Sequence, residues 1–85
     1  MHTVSIARKA QKELRKVAHR DRDAILDAIE ALARDPRPDG VVKMKGTRED
    51  LYRIRVGDYR VVYHVDDDVL TVLVVRIRHR RDVYR

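Results

Sequence analysis

From residue 51 onward the chain alternates. In "LYRIRVGDYRVVYHV", residues 51–65, apolar or aromatic side chains fall at Tyr52, Ile54, Val56, Tyr59, Val61, Tyr63 and Val65. This period of two predicts a β-hairpin. With Gly57-Asp58 as a two-residue turn, Val56 pairs with Tyr59, Arg55 with Arg60, Ile54 with Val61, and Tyr52 with Tyr63. The apolar set then makes one face, and Leu51, Arg53, Arg55, Arg60, Val62 and His64 make the other. That register sets Arg55 directly across from Arg60, where like charges repel.

Upstream, the period is that of a helix. After a short β-branched strand over residues 2–6, Ala10, Leu14, Val17 and Ala18 form one apolar stripe with a strongly basic outside. "HRDRD" interrupts, with Asp21 as the predicted N-cap of a second helix whose stripe is Ile25, Ala28, Ile29 and Leu32. Pro36 ends that helix, and "DPRPDG" is a turn-rich connector. Downstream, Asp66, Asp67 and Asp68 fit a turn, and "VLTVLVVRIRHR" is a last strand, apolar on both faces at its centre. A three-residue turn puts Val69, Thr71, Leu73, Val75 and Ile77 on the core face, with Leu70, Val72, Val74, Arg76 and Arg78 on the arginine face. The predicted class is α+β, in the order β-α-α-β-β-β: an antiparallel sheet with an N-terminal helical hairpin packed on one face.

Length adds that residues 1–85 make one small domain with a single core. The chain is 40% charged, with a formal net charge of +6, which suits a polyanionic partner. It has no cysteine, so no disulfide or thiolate metal site is available. No apolar run approaches membrane-spanning length, and the N-terminus has no apolar signal core; a cytoplasmic protein with no membrane partner is expected.

Arg53, Arg55, Arg60, Arg76 and Arg78 share the predicted sheet face, with His79, Arg80, Arg81 and Tyr84 just beyond. Guanidinium is always charged, and its planar fork suits phosphate oxygens. An RNA phosphodiester between the arginines would relieve their repulsion, while Tyr84, His64 or His79 could stack on or hydrogen-bond a base. RNA also carries its own nucleophile, the 2′-OH. Cleavage then needs a base, cations to stabilise the crowded phosphorane, and an acid for the leaving 5′-oxygen. Arginine meets only the middle need; His79, His64 and Tyr84 are the available proton carriers. His2 and His19 are isolated, and the aspartate run fits a turn better than a cation site. No carboxylate/His cluster, Gly-rich phosphate loop or Ser/His/Asp arrangement is present, so no metal or other cofactor is expected.

With these residues in place, the chain resembles the RelE/ParE superfamily of bacterial and archaeal toxins from toxin–antitoxin pairs. The resemblance covers essentially the whole length and rests on "KMKG", the hairpin "LYRIRVGDYRVVYHV" and the ending "HRRDVYR". It implies a RelE-like toxin that enters the ribosomal A site, cuts mRNA without a metal and so inhibits translation. It also implies a small, acidic or amphipathic RelB-like antitoxin as cognate partner, with ribosome and mRNA as the others. By position, Arg60 corresponds to the arginine at the reacting phosphate and Arg78 to one aiding charge or leaving-group stabilisation. Tyr84 corresponds to a C-terminal tyrosine that orients or stacks on substrate. Arg53 and Arg55 stand where the best-known RelE toxin has lysines, one proposed as base, so base catalysis here passes to His79, Tyr84 or water, with His79 the candidate base. Arg53, Arg55, Arg76, Arg80, Arg81, Lys43 and Lys45 are the expected RNA contacts. ParE-type relatives share the fold but inhibit DNA gyrase as non-nuclease binding toxins, which is the alternative.

Overall fold

The computed structural model describes residues 1–44 and 51–83. The elements are β1 (Thr3–Ile6), α1 (Arg8–Arg15), α2 (His19–Ala31), β2 (Val42–Lys43), β3 (Leu51–Val56), β4 (Tyr59–Asp66), β5 (Thr71–His79) and α3 (Arg80–Val83). The strands form one sheet in the order β1-β5-β4-β3-β2. Every pairing is antiparallel except that of β1, which lies parallel to β5 along the far edge. The expected α+β class holds, with β2 and α3 as short additions.

The apolar stripes of the helices meet one sheet face. Ala10, Leu14 and Val17 join Ile25, Ile29 and Leu32 over Tyr52, Ile54, Val61, Tyr63, Val65, Val72, Val74 and Ile77. Burial of this kind is what holds helices too short to persist alone. The first helix is shorter than its stripe suggested. It ends at Arg15, Val17 is buried in the link, and Ala18 is exposed. Ala18, not Asp21, is the N-cap of α2, without a side-chain cap, and Arg22 N–H donates to its carbonyl. Asp21 sits in the first turn instead, where its charge complements the helix N-terminus.

The hairpin forms in the predicted register, including Arg55 opposite Arg60. Gly57 takes φ 59°, the left-handed conformation that glycine adopts without a Cβ penalty.

In β5 the expected faces are corrected. Val72 and Val74 are the buried residues, while Leu73 is exposed and Val75 is only half-buried. Two features account for this. Asp66 pairs with Thr71, so the turn holds four residues rather than three, and one residue of slip exchanges the faces. Asp66 fixes that turn by accepting the N–H groups of Asp68 and Val69 on Oδ1. A bulge then reverses the slip: Tyr63 pairs with Val74 but Val62 with Arg76, leaving Val75 extra. Beyond it Ile77 turns inward as expected, and Arg78 outward.

Candidate functional site

The sheet face away from the helices carries the basic site. Across its β3–β4–β5 end, Arg55 faces Arg60 and Arg60 faces Arg78. Backbone carbonyls hold these guanidiniums. Arg55 Nε donates to the Gly57 carbonyl at 3.3 Å, and Arg60 Nη1 donates to the same oxygen at 3.4 Å and to Tyr59 O at 3.1 Å. The turn carbonyl therefore sits between the two opposed arginines. Arg78 Nη2 donates to the Asp82 carbonyl at 3.1 Å, in the last turn of α3. Among the described residues no carboxylate forms an ion pair with Arg53, Arg55, Arg60 or Arg78. Backbone carbonyls thus position Arg55, Arg60 and Arg78, and among the described residues no carboxylate neutralises these charges.

Beside this row lies a cleft of about 390 Å³ lined by Met44, Leu51, Arg53, Val62, Val75, Arg76, Arg78 and Asp82. Its lining combines apolar side chains with three arginines and one acid, Asp82, and the apolar and cationic parts together suit a nucleotide's base and phosphate. The short helix α3 is tied to the hairpin turn: Arg80 N–H donates to Asp58 O at 2.7 Å, and Arg80 Nε lies 3.6 Å from Asp58 Oδ1. Arg81 is exposed beside it.

The structure does not bring every expected residue to this face. His79 pairs with Tyr59 on the helix side, because alternation along β5 sends it opposite to Arg78. Its Nδ1 accepts the Arg81 N–H at 3.2 Å. His64 shares the arginine face but lies between Leu51 and Leu73, four residues along β4 from Arg60 and so roughly 13 Å away. Arg76 gives its guanidinium to Glu13 of α1, with Nη2 to Oε2 at 3.0 Å. Lys43 is in register with Tyr52, the helix-side residue of its pair, whereas Val42 faces Arg53. Lys45 and Tyr84 lie outside the described residues. No group of His, Asp or Glu side chains among the described residues is arranged to hold a metal ion. No described helix is long and apolar enough to cross a membrane.

Sequence reasoning missed Glu13. The signal was available: it is the sole acid between Arg8 and Arg20, on a helix that is otherwise basic. At the opposite end of the sheet, Arg37 bonds Tyr52 Oη at 3.0 Å and Asp67 Oδ2 at 2.9 Å, and stacks over the Tyr52 ring. Tyr63 Oη donates to Pro36 O at 2.6 Å; burial pushes this hydroxyl up to about 12, keeping the donor proton in place. These contacts fasten the α2–β2 connector to the sheet, far from the arginine row.

The family model for the ParE toxin of type II toxin–antitoxin systems, parDE, matches residues 4–84. The chain belongs to this toxin family. The toxin is 34% identical to Toxin RelG of Mycobacterium tuberculosis over 88 residues, covering 99% of this chain and 97% of that protein. Its fold matches the archaeal RelE–RelB complex from Pyrococcus horikoshii with a TM-score of 0.83 and 30% identity, over 93% of this chain and 94% of that one. It also matches the intact E. coli RelBE toxin–antitoxin complex, with a TM-score of 0.80 and 26% identity over 93% and 96% of the two chains. It is thus a toxin of a toxin–antitoxin system with a RelE-like α+β fold.

Proposed function

We propose that the toxin is a ribosome-dependent mRNA endonuclease that acts in the A site by 2′-OH attack on the adjacent phosphate. The observation that carries this reading is the row Arg55–Arg60–Arg78, held on backbone carbonyls with no described carboxylate to neutralise it. Preorganised cations of this kind stabilise charge that develops in a transition state, and they need no reorganisation when it forms. Arg60 and Arg78 hold the reacting phosphate, Arg53 and Arg55 guide the strand, and Tyr84 orients or stacks on a base. The substrate supplies the nucleophile, so the chemistry asks for charge and proton transfer rather than a cofactor. Proton transfer is assigned to the C-terminal segment or to water, since His79 faces the other side of the sheet.

The neutralising partner is proposed to be a RelB-like antitoxin, a small acidic or amphipathic chain whose charge suits the arginine face; the similar solved structures include RelE–RelB complexes. A ribosomal target places the toxin in the cytoplasm. Expression followed by mapping of mRNA 5′ ends tests the reading. New ends within translated codons, abolished by Arg60→Ala, are expected, and growth arrest with unchanged transcripts would sink it.

One observation favours a second reading: the matching family model is that of the ParE toxin. A gyrase-directed binding toxin would block supercoiling by purified gyrase and would remain active in the Arg60→Ala variant.

A further inference from the structure

The parallel neighbour of β5 stops early. β1 pairs with it only from Thr71 to Val74, and Ala7 N–H closes the ladder on the Val74 carbonyl before the chain turns into α1. Beyond that point no strand among the described residues lies beside the outer edge of β5, just where the bulge occurs. Unpaired edge N–H groups at a bulge are free to re-pair in another register. The Ile77 N–H is instead capped by Glu13 Oε1 at 2.9 Å. The same carboxylate takes Arg76 Nε at 3.2 and 3.1 Å and Nη2 at 3.0 Å. One side chain of α1 thus binds the two residues that follow the bulge, Arg76 through its guanidinium and Ile77 through its N–H, and the ion pair is only 32% and 22% exposed, so water weakens it little.

The register fixed here decides where Arg78 points. Val72 and Val74 face the core, so a regular strand would send Arg76 and Arg78 inward and Ile77 to solvent. With the bulge held, Ile77 enters the core and Arg78 stands opposite Arg60. We infer that Glu13 is a positioning residue: by capping β5 at its bulge it fixes the register that sets Arg78 beside Arg60. This inference rests on reading Arg60 and Arg78 as the pair that holds the phosphate.

Hydrogen exchange and cross-strand NOEs on the whole toxin test it without any activity assay. In Glu13→Ala the Ile77 amide should exchange about 100-fold faster, with the Arg60–Arg78 cross-strand NOE lost and Tyr63–Val74 kept. Unchanged Ile77 protection overturns the inference. If that variant fails to fold, Glu13→Gln keeps one acceptor oxygen, and its Ile77 amide should exchange about tenfold faster; no change again overturns it. Cleavage then separates positioning from general support. Glu13→Ala should slow single-turnover cleavage about 30-fold in the wild-type background and change it less than about twofold in Arg78→Ala. Equal losses in both backgrounds overturn a role through Arg78. A toxin that cuts no mRNA at all would refute the nuclease reading, while the exchange and NOE results would still decide the role of Glu13.

Discussion

Tyr59 and His79 meet edge to face across β4 and β5, with ring centroids 5.2 Å apart and planes at 88°. They occupy the helix side of the sheet, while their neighbours Arg60 and Arg78 occupy the other. An imidazole there cannot reach a phosphate held by the arginines without leaving its ring partner. His79→Phe keeps the aromatic contact and removes the proton carrier. Its single-turnover cleavage of ribosome-bound mRNA is expected within about threefold of wild type, because losing a true general base costs about 10²–10⁴. A loss in that larger range would restore His79 as the base.

Arg60 and Arg78 carry the opposite expectation. Arg60→Ala and Arg78→Ala should each slow cleavage on the order of 10²-fold or more, with the toxin still folded by circular dichroism. Lysine replacements should recover only part of this, since a point charge does not reproduce the guanidinium fork that bonds a carbonyl and a phosphate together. Full activity of Arg60→Lys would show that charge alone suffices.

The hairpin and the arginine row were legible in the sequence because both depend on local alternation around a Gly57-Asp58 turn. The last strand was not. Its register depends on a turn one residue longer than the aspartate run suggests, and on a bulge capped by a helix residue more than sixty positions earlier. These two shifts cancel, so Ile77 and Arg78 were placed correctly while Val72, Val74, Leu73 and Val75 were not. The same long-range contact removed Arg76 from the free arginines. His79 follows Arg78 directly in the chain, yet strand alternation sets it beside Tyr59 on the other face.

That register is testable by substitution. Val74 is fully buried and Leu73 is 37% exposed, although both belong to one apolar run. Val74→Asp should cost about 3 kcal/mol or more by denaturant unfolding, since it places an unpaired carboxylate in the core. Leu73→Lys should stay within about 0.5 kcal/mol of wild type. The reverse order would mean that β5 lies in the unshifted register.

Acid should loosen the end of the molecule opposite the arginine row. Asp67 accepts from Arg37 and, second, from His2, and these bonds hold its carboxyl below the ordinary value of 3.8. A folded value below the unfolded one means the folded state gains wherever Asp67 is ionised. That gain is complete above the ordinary carboxylate range and disappears as pH falls through the lowered folded value. Asp67→Asn should therefore have a lower Tm than wild type at about pH 5.5, with the margin closing once the pH drops below about 3.8. Arg37→Met, which removes the first partner but keeps an unbranched apolar stem over Tyr52, should weaken that pH dependence and leave only the part that His2 supports. A Tm margin that persists unchanged into acid would show that Asp67 acts through its shape in the turn and not through its charge.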